Sequence, residues 1–332
     1  MTVRWGVGGT GGIAARFADA MSLVDGGRIV AVASRSLERA EAYADRFGVP
    51  RRYADYAALA DDSEVDAVYV ATPHSRHEAD TLLFLGGGKH VLCEKPFALN
   101  STQGQRMVTA AHDAGIFLME AMWSRFLPAY RVLGDLLADR RIGDPLLVEA
   151  DFGFRAPFDA AHRLFDPAQG GGALLDLGIY PLQLCDLVFG APDRISADAT
   201  LGATGVDENT AAVLHHPGGG LAVIKAAVRV AMACTARIAG TQGVIELPAF
   251  MHCPDQVRVT VERQTEVIDA PYVGDGMRFE IDEVHSCLAR GVRESTVWPL
   301  RKTLELAATM DTIREQIGVR YPGEPENAAG PA

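Results

Sequence analysis

Lys95 and Glu94 put an amine and a carboxylate side by side after a short apolar run, His90-Val91-Leu92-Cys93, and Pro96 follows them. The run reads as a buried parallel strand. In an alternating strand–helix chain, such a strand ends at the carboxyl edge of the sheet, where open α/β sheets bind ligands. Pro96 stiffens the exit and biases Lys95 away from helical geometry. Far downstream, Asp176 and Tyr180 stand four residues apart in a helical pattern over 172–189. That spacing puts both on one face. An amine, a carboxylate and a phenol are groups of general acid–base chemistry. Each also has a plain structural use: Lys95 paired with Glu94, Asp176 in a local ion pair, Tyr180 with its hydroxyl satisfied inside a core.

A second group could hold a cofactor. Gly8-Gly9-Thr10-Gly11-Gly12-Ile13-Ala14 falls between an expected strand over 3–8 and an expected helix over 13–23. In the frame G-x-G-x-x-A, Gly9 makes a tight turn, Gly11 lets the backbone approach a pyrophosphate, and Ala14 lets helix pack on strand. Thr10, Gly12 and Ile13 complete the turn, and helix N-terminal amides face the phosphates. The other frame, Gly6-x-Gly8-x-x-Gly11, lies mostly inside the strand. After the second strand, 28–34, a site selective for NAD carries Asp or Glu for the ribose 2′-hydroxyl. This chain has Ala33-Ser34-Arg35-Ser36 there. Ser34 can hydrogen-bond, and Arg35 can pair with a phosphate, with Arg39 one helical turn beyond. The expectation is NADP, with NAD second. The alternative is that Ser36 merely caps the next helix and Arg35 is solvated. Thr72-Pro73 ends the apolar strand over 65–72, where nicotinamide or ribose would lie. His74 and His77 either hydrogen-bond there or cap and pack. Trp123 and Arg125 either contact nicotinamide or substrate, or pack.

The elements that must position these groups change character along the chain. Strands over 3–8, 28–34, 65–72, 91–93 and 116–119 alternate with helices over 13–23, 37–47 and 76–85. Continuous apolar strands between amphipathic helices predict a parallel sheet covered on both faces. Beyond 122 come a helix over 127–137, a strand over 145–154, the helix over 172–189, and β-like runs over 195–203, 210–215, 221–228, 233–239, 243–247 and 256–261. Helices over 280–289 and 300–317 close the chain. The expected architecture is α/β: a dinucleotide-binding Rossmann domain over 1–122, then an α+β domain over 123–320 with a large, mostly antiparallel open sheet. The last helix packs back on the first domain, and 321–332 forms a flexible tail. An exposed apolar sheet face predicts at least a homodimer through the second domain.

Composition removes several classes. The 332 residues carry a net charge of −12, so the broad cationic surface that binds nucleic acid is missing. A hydrophobic fraction of 48% is ample for a large core. The five cysteines (Cys93, Cys185, Cys234, Cys253, Cys287) show no paired spacing, which fits reduced thiols and a cytoplasmic protein. The N-terminus lacks signal-peptide architecture, and no apolar stretch reads as membrane-spanning. His215-His216 precedes a Pro-Gly turn and reads as loop. No zinc-type spacing occurs, so no metal is expected.

Trp5-Gly6-Val7-Gly8-Gly9-Thr10-Gly11, Ala71-Thr72-Pro73-His74-Ser75-Arg76-His77 and Glu94-Lys95-Pro96, in this order and spacing, resemble the glucose–fructose oxidoreductase / inositol dehydrogenase / MocA (Gfo/Idh/MocA) family. The resemblance covers nearly the whole chain. Within the family, two further stretches look like the branch of dimeric dihydrodiol dehydrogenases and NADP-dependent D-xylose dehydrogenases. They are Met119-Glu120-Ala121-Met122-Trp123-Ser124-Arg125-Phe126-Leu127-Pro128 and Gly170-Gly171-Gly172-Ala173-Leu174-Leu175-Asp176-Leu177-Gly178-Ile179-Tyr180-Pro181. Gly8 and Gly12 depart from the larger residues of relatives, which implies a looser phosphate turn.

The resemblance implies that the helix bearing Asp176 and Tyr180 faces the nicotinamide across a domain interface, opposite Lys95. Lys95 and Tyr180 then share proton transfer, Asp176 orients the substrate hydroxyl, and Glu94 lies on the cofactor side or positions the lysine. It also implies a cis Lys95–Pro96 bond. Both Lys and Tyr have free pKa values of about 10, so each would need depression to act as a base near neutral pH. The implied function is NADP-dependent oxidation of a sugar, cyclic polyol or trans-dihydrodiol, or reduction of the matching carbonyl. A non-catalytic dinucleotide-binding sensor of the same fold is the alternative. Arg155, His162 and the stretch 250–276 are further candidates for the substrate cleft.

Overall fold

The structure is a computed structural model that describes residues 2–324. Its first half forms a six-stranded parallel sheet from β1 (Val3–Gly8), β2 (Gly27–Ala33), β3 (Arg51–Tyr53), β4 (Ala67–Val70), β5 (His90–Glu94) and β6 (Leu118–Ala121), in the order β3-β2-β1-β4-β5-β6. This is the Rossmann order, and its topological switch lies between β1 and β4. Helices α1 (Gly12–Met21), α2 (Leu37–Phe47), α3 (Tyr56–Ala60), α4 (His77–Gly86) and α5 (Ser101–Ala114) connect the strands. The caps explain where two of them start. Ser36 accepts from Arg39 N at α2, and Asn100 accepts from Gln103 N at α5. The capping alternative for Ser36 is therefore realised, and it leaves Arg35 and Arg39 exposed.

Trp5, Phe17 and Tyr69 hold α1 on the sheet. Phe17 stacks on Tyr69 with centroids 3.9 Å apart, and Trp5 meets Phe17 edge-on at 5.4 Å. All three are fully buried. Full burial of a large apolar side chain contributes roughly 1.5–3 kcal/mol.

The second half contains α6 (Pro128–Ala138), α7 (Ile179–Phe189), α8 (Arg278–Arg290) and α9 (Leu300–Ile317), and an eight-stranded sheet. Its strands are β7 (Pro145–Gly153), β8 (Arg194–Leu201), β9 (Asp207–His215), β10 (Leu221–Ala227), β11 (Ala236–Gly240), β12 (Gly243–Leu247), β13 (Gln256–Val261) and β14 (Gln264–Asp269). They lie in the order β14-β13-β12-β11-β7-β10-β9-β8, and only β7 and β10 pair in parallel. Val148, Ala150, Ile224, Ile238, Ile245 and Val257 turn inward and are buried. The outer face differs from the apolar surface expected of it. Glu149, Arg237, Glu246 and Arg258 stand in register across β7, β11, β12 and β13, an alternating row of charge. Val213, Val223 and Val267 continue that face.

The helix expected over 172–189 starts with a π-helical turn, Leu174–Gly178, and only Ile179–Phe189 is α-helical. By length and composition, Pro167–Phe189 could cross a membrane, contrary to the sequence expectation, but the segment is mostly buried inside the fold. It is apolar all round because it packs on several sides. Helix α9 contacts α5 and β6 as well as β8. Of the tail expected over 321–332, residues 325–332 lie outside the described residues. Tyr321 is buried and donates to Gly171 O at 2.6 Å, and Glu324 pairs with Arg314 and accepts from Asn100.

Candidate active site

A cleft of about 1050 Å³ crosses the topological switch and runs to the junction with the second half. At one end stand Ser34, Arg35, Arg39, Arg46 and Tyr56; in the middle the glycine turn; at the other end Thr72, His74, Glu94, Lys95, Arg163 and Asp176. The turn requires its glycine. Gly9 has φ +111°, and an added Cβ would lie 2.6 Å from Ala71 O. Cβ atoms at Gly11 and Gly12 would meet nothing within 4 Å, so this part of the cradle is open. Helix α1 begins there with no side-chain cap and no acid in its first turn. Uncapped helix amides over an open cradle form an anion site. Thr72 adds a buried hydroxyl without a protein partner. These residues fit a dinucleotide. At Gly8 the Phe84 ring occupies the space a Cβ would take, 3.2 Å away.

No carboxylate stands at the end of β2. Ser34 is buried, and neither Arg35 nor Arg39 makes an ion pair among the described residues. Arg46, Tyr43 and Tyr56 also line this end and carry no sequence signal that separates them from ordinary helix residues.

At the far end, Lys95 Nζ donates to Asp176 O at 2.8 Å, lies 3.4 Å from Asp176 Oδ1, and sits 4.9 Å from the Tyr180 ring centre. The strand end and the π-helical turn thus meet from opposite halves of the chain. The π turn keeps both Asp176 and Tyr180 directed at Lys95 despite its altered register. Gly172 allows the approach of the supporting strand: it has φ +120°, and a Cβ there would lie 2.2 Å from Asp207 Oδ1. Asp207 accepts from Leu174 N at 2.7 Å and from the Thr210 hydroxyl at 2.6 Å, which fixes the start of the turn. On the Lys95 side, the Lys95–Pro96 bond is cis. Glu94 accepts from Lys95 N at 3.0 Å and from the Tyr69 hydroxyl. Glu120 accepts from Phe97 N at 3.0 Å, and from the Trp298 indole and Thr303 hydroxyl.

Burial and charge act against each other here. Burial would lower the Lys95 ammonium, but Tyr180, Asp176 and Glu94 outweigh it, so its pKa lies above the ordinary value. Burial raises the Tyr180 phenol, and Lys95 and the Trp123 hydrogen bond only partly offset this. The depression expected for these two groups is thus reversed: burial holds the proton on Tyr180, and Tyr180, Asp176 and Glu94 hold it on Lys95. Burial would also raise Asp176, but Lys95, Arg163 and His74 pull it well below the usual carboxylate range. His74 is pushed down to about 3, chiefly by burial, and its Nδ1 donates to Gly170 O at 2.9 Å.

Not every expected residue reaches the cleft. Tyr180 is buried and does not line it, but sits against Lys95, which does. His77 lies behind it, with ring nitrogens 2.8 Å from Pro96 O and 2.9 Å from Thr72 O, where it ties the two loops together. Arg125 packs over Trp298 at 5.2 Å. Trp123 does not line the cleft but donates its indole N–H to the Tyr180 hydroxyl at 2.9 Å. Arg155 and His162 are exposed on the loop after β7, whereas their neighbour Arg163 enters the site. Arg163 donates to both Asp176 oxygens, at 3.0 and 3.3 Å. Nothing in the local sequence distinguishes it. His215 accepts from Arg194, and His216 packs against Phe189. Among the described residues no cluster of three metal-ligating side chains occurs.

A Rossmann sheet, a glycine turn at its switch and acid–base groups at the end of the cleft define a dinucleotide-dependent oxidoreductase. The sequence matches the family described as "Oxidoreductase family, NAD-binding Rossmann fold" over residues 3–122 and the "GFO/IDH/MocA C-terminal domain" over 130–246. Similar proteins include the trans-1,2-dihydrobenzene-1,2-diol dehydrogenases of Xenopus laevis, 37% identical over 97% of this chain and 100% of that one, and of Danio rerio, 40% identical over 97% and 98%. Among solved structures, the 3-ketoreductase KijD10 from Actinomadura kijaniata, in complex with NADP and TDP-benzene, superposes with a TM-score of 0.87 at 27% identity, covering 96% of this chain and 98% of that one. The aldose–aldose oxidoreductase from Caulobacter crescentus has a TM-score of 0.87 at 26% identity, covering 95% and 97%. The chain belongs to the Gfo/Idh/MocA family and is an NAD(P)-dependent oxidoreductase.

Proposed function

We propose that this protein is an NADP-dependent dehydrogenase or reductase acting on a carbinol or carbonyl carbon of a sugar, cyclic polyol or trans-dihydrodiol. The observation that carries the reading is Lys95 and Asp176 at the end of a dinucleotide-shaped cleft, with Tyr180 packed against Lys95, while the other end of the cleft presents Ser34, Arg35 and Arg39. The glycine turn and the uncapped amides of α1 would hold the dinucleotide, which would supply hydride as NADPH or accept it as NADP⁺. Tyr180, buried and protonated, gives a proton to a substrate oxygen in reduction and takes one in oxidation. The Lys95 ammonium holds that oxygen and stabilises developing negative charge on it. Asp176, ionised by its cationic neighbours, accepts from an adjacent substrate hydroxyl. The names of the dihydrodiol dehydrogenases, of the 3-ketoreductase and of the aldose–aldose oxidoreductase agree with this substrate class.

The test is the change in NADPH absorbance with a panel of aldoses, inositols and trans-dihydrodiols. Turnover with at least one class, favouring NADP over NAD, is the expected result. Silence across the panel with tight NADP binding would replace this reading with that of a sensor.

We also propose a homodimer through the outer face of the large sheet. The row Glu149, Arg237, Glu246, Arg258 is self-complementary: a two-fold-related copy can set each acid against a base. Light scattering should give twice the chain mass for the native protein, and Arg237→Glu should shift it toward the monomer, since like charges would then face each other. A native protein of monomeric mass would end the proposal. The five free thiols accord with a reducing compartment, so we assign the protein to the cytoplasm.

A further inference from the structure

Tyr180 has an unusual partner for a residue read as a proton donor. The Trp123 indole nitrogen lies 2.9 Å from the Tyr180 oxygen, and both side chains are buried. Indole N–H can only donate. Tyr180 must therefore accept on that side, and its own O–H must point elsewhere. Lys95, which lies over the ring face and is itself donor-only, cannot receive that proton. Among the hydrogen bonds of the described residues no acceptor takes the hydroxyl proton, so it is available to an incoming one.

The indole is held from both sides. Arg16 of α1 stands over the Trp123 ring, 5.3 Å from its centre. A cation on the ring face is attracted to it and polarises the N–H. Arg16 is gripped in turn by Asp275, with donor distances of 2.8 and 3.0 Å to its two carboxylate oxygens. Asp275 belongs to the segment before α8, so the grip joins the two halves of the chain. Gly276 packs on the same indole, where a Cβ would come 2.9 Å from the ring.

We propose that Trp123 presets Tyr180 as the proton donor: its indole N–H occupies one lone pair of the phenol oxygen, turns the hydroxyl proton toward the substrate, and stabilises the phenolate left after transfer, while Arg16 and Asp275 hold the indole in place. The proposal rests on the reading of Tyr180 given above. In carbonyl reduction a hydride from NADPH would add to the carbonyl carbon and the C=O π pair would move onto oxygen; the O–H bond of Tyr180 breaks as a new O–H bond forms on that oxygen, and the negative charge stays on Tyr180. The indole hydrogen bond is then charge-assisted, which strengthens it.

Several charged or titratable groups also act on Tyr180. Lys95 comes from β5 with Glu94 beside it, and Asp176 from the π turn with Arg163 attached. The His252 ring lies 5.1 Å away, but burial pushes it down to about 3, so it stays neutral. Arg16 and Tyr130 complete the set. Only Trp123 contacts the phenol oxygen among the hydrogen bonds of the described residues.

Trp123→Phe keeps an aromatic ring and removes the donor. The expected result is a fall in kcat for reduction of about tenfold, the size of one charge-assisted hydrogen bond. NADPH affinity, read by nicotinamide fluorescence, should stay within about twofold because Trp123 does not line the cleft. The alkaline limb of the reduction profile should move to higher pH, because the phenolate has lost a stabilising donor. Trp123→His, which retains an N–H, should recover part of the rate. Arg16→Gln alters a half-exposed side chain and covers the case in which Trp123→Phe fails to fold. It should move the same limb in the same direction. An unmoved limb in folded variants, with or without a loss of kcat, overturns the proposal, since a packing role would not set the phenol's acidity. Tyr180→Phe is run alongside: if it retains full activity, the reading of Tyr180 has failed, whereas an inactive Tyr180→Phe beside an unchanged Trp123→Phe rejects this inference alone.

Discussion

Lys95→Met should bind NADPH and reduce its substrate about 10³-fold more slowly, within the range for loss of a donor that stabilises charge on the reacting oxygen. Tyr180→Phe should lose on the order of 10²-fold. The two losses should not add, because both side chains serve one proton and one oxygen. Methionine matches the length of lysine without its charge, so it removes the donors to Asp176 without opening a large cavity. The pH dependence follows from the directions of the two shifts. Both groups are raised and therefore protonated at neutral pH. Reduction, which consumes a proton from Tyr180, should hold steady near neutrality and decline on the alkaline side as the phenol ionises. Oxidation of the alcohol needs the ionised phenol and should rise with pH over the same range. Steady-state kinetics in both directions check this. A reduction rate that climbs through the alkaline range, or full turnover by both variants with cofactor bound, would sink the assignment.

The second large effect concerns the cofactor. Arg35→Ala should raise KM for NADPH by about tenfold, the lower end for a hydrogen bond to a charged group, because the arginine is exposed. KM for NADH should hardly change, since NADH lacks the 2′-phosphate. Adding Ser34→Asp places a carboxylate at the end of β2, where it can accept from a ribose 2′-hydroxyl and repel a phosphate. The double variant should lower the NADPH/NADH ratio of kcat/KM by about 10³-fold and reverse the preference. The same ratio measured at several salt concentrations should fall with ionic strength in the native protein, because exposed charges are screened. If Arg35→Ala changes both cofactors equally, the phosphate reading is wrong.

The sequence makes these features legible to different degrees. Apolar strands such as Ala67–Val70, buried on both faces, mark the parallel sheet because every residue must be apolar. Short or polar elements do not announce themselves. Arg51–Tyr53 has three residues, and Gln264–Asp269 is an exposed edge strand with little apolar alternation. Helix α5 is largely polar and buries only Gly104, Met107 and Ala111, so it shows little apolar periodicity, although Asn100 and Gly115 are ordinary helix-end signals. Four-residue spacing suggests a shared face for Asp176 and Tyr180, yet no rule of spacing brings position 95 to position 176. That pairing follows only from the resemblance. Arg163 and the indole–phenol bond depend on how loops fold back across the cleft, which leaves no periodic trace.

Tyr321 has a consequence for the order in which the molecule is assembled. Its hydroxyl closes on Gly171, 150 residues earlier, beside the turn that carries Asp176. Chains are made from the N-terminus, and their domains tend to fold as they emerge. The six-stranded sheet and its glycine turn are complete once residue 121 is available, while the turn bearing Asp176 waits for a partner two hundred residues later. During synthesis, the ability to hold a dinucleotide therefore precedes the ability to use it.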